Sequence, residues 1–474
     1  MVNFVAKNFA LDSSLSESEK IPVVNPSNEE IIGFTFTTNN LRVENIVRLA
    51  KANKQNWSSI SSPERGNILR NFLKKIELSK QDFIKIVCAE TGKSQIDSVN
   101  EFEAMLEMGH LMASNGRRLN GITSHSKNSL KRISVWREPV GVCALIVASN
   151  TPLPNYAWKV FPALIAGNSV ILKPSEFTPF SSTLFTEIAL EAGIPASAFQ
   201  LIHGDGETGS TLVNCDVDLI SFTGSKETGM KIAKAAASKL TKVALELGGK
   251  NALIICDDAD VELASDAAVA SAFSNAGQRC AAASRIIVTE GVYEEFISSF
   301  YNKVNKLACG NSDSNSVGPV ISAKSLERIN KILNESIKKG ARISAQGSNS
   351  NKKGFYIKPT VVTEVSPDDE ISKVELFGPI CCLYKVKNIN EAIALANNSE
   401  YGLTSAIWTQ NHSTAQLATN ALEVGMVTVN GPTFGAEPNM PFGGVKNSGN
   451  GWRENGESVL DIYTEIKTVA ENRI

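Results

Sequence analysis

Residues 140–173 read VGVCALIVASNTPLPNYAWKVFPALIAGNSVILK, and this stretch decides the fold. The apolar run Val140–Val147 has the length and branched side chains of a buried strand. Tyr156–Ala166 spaces its apolar residues as a helix does and stops at Gly167-Asn168, a helix-terminating pair. Ser169–Leu172 is apolar again and reads as a second strand. Strand, helix and strand in this order predict parallel strands with a covering helix.

The alternation continues on the C-terminal side. Ser181–Ala192 reads as a helix ending at Gly193, and Phe199–Ile202, Leu219–Phe222 and Val243–Leu245 read as strands. A second series follows, with strands at Ala252–Cys256 and Arg285–Thr289 and helices over 260–275 and 292–308. The change between the two series falls near Gly248-Gly249. Towards the N-terminus, residues 41–60, 63–90 and 94–115 show helical spacing, with Leu69, Phe72, Leu73 and Ile76 on one face. Ser62 is the expected cap of the second of these helices, with Pro63 in its first turn. The polar stretch 116–138 can supply a hairpin. The tail Val459–Val469 alternates loosely and reads as a strand isolated behind a Gly-rich loop, which needs a distant partner, in this chain or in another subunit.

The chain has 474 residues, enough for two or three domains. It is 42% hydrophobic and 20% charged, an ordinary globular composition. Lys and Arg number 47 against 49 Asp and Glu, which leaves no electrostatic footprint for nucleic acid or an anionic membrane. The first residues, MVNFVAKNFALDSS, lack the charged and apolar regions of a signal peptide, and no run is long and apolar enough to span a membrane. A cytoplasmic location is the resulting expectation. The eight Cys have irregular spacing and no Cys-x-x-Cys pair, and the four His are not paired at ligand spacing. They therefore predict reduced, mostly buried thiols and no metal site.

Several segments carry candidate chemistry. Ser274-Asn-Ala-Gly-Gln-Arg-Cys280 sets a cysteine just past a helix, in a turn, beside polar neighbours expected to depress its thiol pKa. Inert packing is the plainer reading of any one cysteine. Glu246 follows an apolar strand and precedes Gly248-Gly249, where partial burial tunes a carboxylate towards a general base; a salt bridge to Lys250 is the alternative. Asn150, beyond the strand that opens this section, can donate to an oxyanion or serve as a turn residue before Pro152. Lys173 and Glu176 at a strand end suit two ribose hydroxyls, or form a solvated pair. Gly204-x-Gly206-x-x-Gly209 matches the dinucleotide fingerprint formally, but the acidic residue expected about 20 residues later is missing. Gly224-Ser225, opening a helix after a strand, suits a phosphate better. Phe442-Gly443-Gly444 reads as a turn near the site.

The order of these segments resembles the aldehyde dehydrogenase superfamily over nearly the whole chain. The segments are Glu138-Pro-Val-Gly141, Asn150 with Ala157-Trp-Lys159, Pro162-Ala-Leu with Gly167-Asn168, and Lys173-Pro-Ser-Glu-x-Thr-Pro179. They continue with Phe222-Thr-Gly-Ser-x-x-x-Gly229, Glu246-Leu-Gly-Gly-Lys250, Gly277-Gln-Arg-Cys280, Glu375-Leu-Phe-Gly-Pro379 and Pro441-Phe-Gly-Gly-Val-Lys-x-Ser-Gly449. The resemblance implies an α/β fold of three parts: a Rossmann-like cofactor domain (residues 1–115 and 138–247), a second α/β catalytic domain (248–447) and a small β oligomerisation region (116–137 and 455–474). It implies oxidation of a small-molecule aldehyde with NAD, or less favourably NADP, by a homodimer or homotetramer.

Carried onto this sequence, the resemblance makes Cys280 the nucleophile that forms a thiohemiacetal and then a thioester. Asn150 and the Cys280 N–H hold the oxyanion, and Glu246 activates the hydrolytic water. The cofactor would lie on Ile146, Lys173, Glu176, Gly206, Thr223, Gly224, Ser225, Leu247, Gly248, Glu375 and Phe377. The substrate would face Thr151, Asn155, Trp158, Arg279 and Phe434. Members often carry an aromatic residue where Thr151 stands and an apolar one where Asn155 stands, so the expected substrate is a small polar aldehyde or semialdehyde. Arg279 is then a candidate partner for its carboxylate, or faces away into the protein. Two rivals stay open at this point: a CoA-acylating semialdehyde dehydrogenase and a catalytically silent member of the fold.

Overall fold

Residues 142–173 fold as strand Val142–Ile146, helix Pro152–Ala166 and strand Ser169–Lys173, and both strands are buried throughout. Gly167 ends the helix at φ 98°, a conformation free of Cβ strain only for glycine. The structure is a computed structural model that describes residues 4–7, 9, 19–310 and 316–473. Most of the stretch inspected for a signal peptide, and Ile474 at the end of the tail, lie outside the described residues.

The first sheet is parallel and orders its strands as Lys242–Glu246, Leu219–Thr223, Val142–Ile146, Ser169–Lys173 and Phe199–Leu201. The chain runs outward from Val142–Ile146 on one side and then returns to its other side. That reversal is a topological switch point, where open α/β sheets bind ligands beyond the carboxyl ends of their strands. Register pairs Glu246 with Thr223, and Ile146 with both Phe222 and Lys173, so these strand ends form one row.

Residues 247–250 lead into a second sheet, ordered 342–346, 360–363, 380–386, 283–289, 251–255, 404–408 and 426–429. Its pairings are parallel except that of 342–346 with 360–363. Each sheet has apolar clusters on both faces, as helix-covered parallel sheets require. A small sheet of Phe4–Val5, Ile31–Thr37 and Glu19–Val24 has no counterpart in the sequence reading.

Four local expectations are corrected. The helical stretch 63–90 is two helices, Ser62–Leu78 and Lys80–Thr91, parted at Ser79; a one-residue break barely disturbs the apolar spacing. The stretch 41–60 is likewise Asn40–Asn53 and Gln55–Ser58. Ser61, not Ser62, caps the helix by accepting from Glu64 N at 3.4 Å. The tail opens as a helix, Val459–Tyr463, because Val459, Leu460, Ile462 and Tyr463 bury a helical face against the first large core cluster. Its strand is Thr464–Asn472, which pairs antiparallel with Lys131–Pro139 of the same chain; Ile122–His125 adds the third strand. Among the described residues, no helix is long and apolar enough to cross a membrane.

Candidate active site

The loop that presents Cys280 has an unusual backbone. Beyond helix Val261–Phe273 the chain turns through Asn275, Ala276 and Gly277 at φ 52°, 54° and 66°. Left-handed backbone costs a non-glycine residue roughly 1–2 kcal/mol, so the surroundings must enforce it. Asn275 Nδ2 donates to Asn150 O at 3.1 Å. Gln278 Nε2 donates to Pro319 O at 3.1 Å, and Ile321 N donates to Gln278 Oε1 at 2.9 Å. A Cβ on Gly277 would strike the Gly378 carbonyl. Asn251 Nδ2 then fixes the far side of the loop by donating to Cys280 O at 2.7 Å and Ala282 O at 2.8 Å.

This loop opens into a cavity of about 1030 Å³. Its lining includes Cys280, Asn150, Thr151, Asn155, Trp158, Arg279 and Phe434, together with Glu246 and with Thr223, Gly224, Ser225, Leu247, Gly248, Glu375 and Phe377. Ile146, Lys173, Glu176 and Gly206 do not line it. Ile146 and Lys173 pair at adjacent strand ends, and Glu176 follows the second of these strands. Gly206 opens helix Gly206–Asn214, whose Gly209 is close enough that a Cβ there would sit 3.6 Å from Lys173 Cδ.

Cys280 keeps partial access to solvent, yet its thiol is pushed up to about 12. Burial is the main cause, followed by the carboxylates of Glu375 and Glu246. The expectation of a depressed thiol pKa is therefore wrong for the free protein. The neighbouring Arg279 guanidinium stacks 4.5 Å over the Phe434 ring, and its charge favours the Glu101 carboxylate.

Glu246 is buried, and neither of its carboxylate oxygens has a partner among the described residues. Burial and then the Glu454 carboxylate raise its pKa well above the usual value, with Lys159 and Arg453 opposing them. Lys159 is fully buried, pairs with Glu454 and donates to Ser221 Oγ at 2.9 Å. A Cβ on Gly443 would come within 2.8 Å of Glu246 Oε1, so that turn leaves room for the carboxylate. The Glu246–Lys250 salt bridge is absent: Lys250 Nζ donates to Ile371 O at 2.8 Å instead. Sequence reasoning quoted Lys159 only within a motif and missed Glu454, which lies in an irregular loop without periodicity.

Asn150 Nδ2 donates to Gln278 O at 2.9 Å, which leaves its second amide hydrogen available to the cavity. Asn155 Nδ2 donates to Ala148 O at 3.1 Å and to Asn150 Oδ1 at 3.3 Å, fixing the orientation of the Asn150 amide.

The remaining residues of the lining could hold part of a dinucleotide. Thr223 Oγ1 is buried without a partner among the described residues. Ser225 caps helix Lys226–Ala237, whose free N–H groups suit a phosphate. Glu375 accepts from Gly249 N at 3.2 Å, and burial raises its carboxyl to about 7. A Cβ on Gly248 would clash with that carboxylate. Arg328 holds the Glu375 segment by donating to Glu375 O at 3.3 Å and to Leu376 O. Lys173 is buried and donates to Pro174 O at 3.0 Å, so it is not half of a solvated surface pair. No group of three His, Cys, Asp or Glu among the described residues could hold a metal ion.

Residues 14–469 match the model of the aldehyde dehydrogenase family. The mitochondrial aldehyde dehydrogenase of Leishmania tarentolae is 36% identical over 454 residues, covering 94% of this chain and 90% of that protein. The NADP(+) succinate-semialdehyde dehydrogenase of Escherichia coli is 34% identical over 456 residues, covering 95% and 94%. Betaine aldehyde dehydrogenase from Staphylococcus aureus, solved in complex with NAD+, superposes with a TM-score of 0.94 at 32% identity, covering 99% of this chain and 95% of that one.

Proposed function

The chain belongs to the aldehyde dehydrogenase family and is an NAD(P)-dependent oxidoreductase; from that premise we propose that it converts a small polar or carboxylated aldehyde to its acid through a thioester on Cys280. The observation that carries this reading is the meeting of Cys280, Asn150 and a buried Glu246, unpartnered among the described residues, in one cavity with residues that would hold the nicotinamide end of the cofactor.

The Cys280 sulfur adds to the aldehyde carbon as the thiol proton passes to solvent water, and the carbonyl oxygen takes the negative charge. The Asn150 amide and the Cys280 N–H stabilise that oxyanion, a contribution of roughly 3–4 kcal/mol per donor in comparable sites. The bound nicotinamide cofactor supplies the acceptor for the hydride released when the C–H bond breaks. The acyl group then stays on sulfur as a thioester, which divides one hard oxidation into two easier steps. Glu246 takes a proton from water as the oxygen adds to the acyl carbon. The C–S bond breaks, the acid leaves and Glu246 returns the proton it took to the sulfur.

Arg279 supports a carboxylated substrate. Its guanidinium lines the cavity over Phe434, and its Nε is buried without a partner among the described residues. Its charge acts on the Glu101 carboxylate, which lines the same cavity without a salt bridge to it. Glu176 supports preference for NAD, since a carboxylate near the ribose 2′-hydroxyl repels a 2′-phosphate. The proposed division is a cofactor domain of residues 1–115 and 138–247, a catalytic domain of 248–447, and an oligomerisation region of 116–137 and 455–474. The last presents exposed Ile122, Trp136 and Ile466, which suits burial in a homodimer or homotetramer. Eight free cysteines suit a reducing, cytoplasmic setting.

A CoA-acylating enzyme would need no base for water, and the free Glu246 favours hydrolysis. NADH formation across a panel of aldehydes, with and without CoA, tests the reading. Turnover independent of CoA and lost in Cys280→Ala supports it; strict dependence on CoA, or activity retained in Cys280→Ala, overturns it.

A further inference from the structure

One buried ion pair stands next to the site without any role in the chemistry above. Gly92 ends helix Lys80–Thr91 in a left-handed conformation at φ 69°, and Ser94 caps the next helix, Gln95–Ser114. Lys93 is trapped in the two-helix junction, with its side chain 4% exposed. Its ammonium has two partners: the Glu101 carboxylate and the carbonyl oxygen of Asn150, the latter at 2.7 Å. Glu101 lies two turns into the second helix with its side chain 8% exposed, lines the cavity, and leaves Oε2 without a hydrogen-bond partner among the described residues.

Two charges are costly to bury, and replacing such a pair by apolar side chains is often neutral or stabilising. Stability alone gives no reason for this pair to stand here. Its geometry gives another. The Asn150 carbonyl accepts from two buried donors on different elements, Lys93 Nζ and Asn275 Nδ2. These bonds fix the Asn150 peptide, while Asn155 and Gln278 fix its side-chain amide. A donor pre-aimed at a developing oxyanion loses much of its effect when displaced by a fraction of an ångström.

We propose that the Lys93–Glu101 pair is a positioning device for the oxyanion hole: Glu101 holds Lys93, and Lys93 holds the Asn150 backbone so that its amide meets the substrate oxygen. This rests on the oxyanion role of Asn150 given above.

The paired variant Lys93→Met/Glu101→Leu removes both charges together and leaves no lone charge buried. It is measured alone and in an Asn150→Ala background, with kcat and the Kd for NAD as readouts. Alone, it lowers kcat about 10–100-fold, part of the ~100–1000-fold effect of a missing oxyanion donor, and leaves NAD affinity intact. In the Asn150→Ala background it lowers kcat by less than about threefold, because the group it positions is gone. An unchanged kcat in the paired variant, a full multiplicative loss in the Asn150→Ala background, or a parallel loss of NAD affinity overturns the proposal. Glu101→Gln, a milder change that keeps Lys93, follows the same pattern with a smaller loss and serves if the paired variant does not fold. An Asn150→Ala enzyme with normal kcat removes the oxyanion role and this proposal together. A slow Asn150→Ala enzyme beside a normal paired variant removes the proposal alone.

Discussion

The raised thiol pKa of Cys280 has a measurable consequence in the cofactor-free enzyme. Its value of about 12 against an ordinary 9.0 means roughly 1000-fold less thiolate at neutral pH. A more basic thiolate is also a better nucleophile, and a Brønsted slope of ~0.4–0.5 restores about 20-fold. Cys280 of the free enzyme is therefore expected to react with a small disulfide about 50-fold more slowly than an ordinary exposed thiol. The assay is the rate of inactivation, read as loss of NADH formation, so that the other cysteines do not contribute. Its logarithm should flatten locally as Glu375 ionises near pH 7 and then rise with unit slope to about pH 10 without a plateau. Glu375→Gln removes the carboxylate that raises the thiol most after burial. That carboxylate titrates at about 7, so the variant should react faster than wild type above that pH and no faster about one unit or more below it. A plateau with an apparent pKa near or below the ordinary value of 9.0 refutes the reasoning, as does a Glu375→Gln enzyme no faster in alkali.

Arg279→Met should raise the KM for a semialdehyde about 10–100-fold, the loss of a charge-assisted bond worth ~1.5–3 kcal/mol, and barely affect an uncharged aldehyde; equal effects on both would remove the carboxylate reading. Gly248→Ala drives a methyl group into the Glu375 carboxylate, so NAD affinity measured by fluorescence titration should fall while Tm changes little. Glu176→Ser should narrow the ratio of kcat/KM for NAD over NADP, and an unmoved ratio would detach Glu176 from cofactor choice.

The parallel sheet was legible because buried strands such as Val142–Ile146 are continuously apolar and the helices between them end at glycines. The N-terminal sheet was not: Glu19–Val24 and Ile31–Thr37 are short and mix exposed apolar residues such as Phe34 with polar ones. The tail misled because Val459–Tyr463 is only about one turn long, too short for helical and strand periods to separate. At the site, Cys280, Glu246 and Asn150 could be singled out because each follows a regular element and stands in or before a turn. The sign of the Cys280 shift could not, since it depends on Glu375, which is distant in sequence. Glu454 and the Lys93–Glu101 pair were hidden for the same reason: a loop carboxylate and two helix charges acquire their roles only through contacts across the fold.

The most direct measurement of the central claim is intact-protein mass spectrometry of Glu246→Gln, quenched after mixing with NAD and an aldehyde that the wild type oxidises. With no base to activate water, one acyl group should accumulate per chain on Cys280, beside one equivalent of NADH, and further turnover should nearly cease. Sustained turnover at the wild-type rate with no acyl adduct on Cys280 would contradict the account.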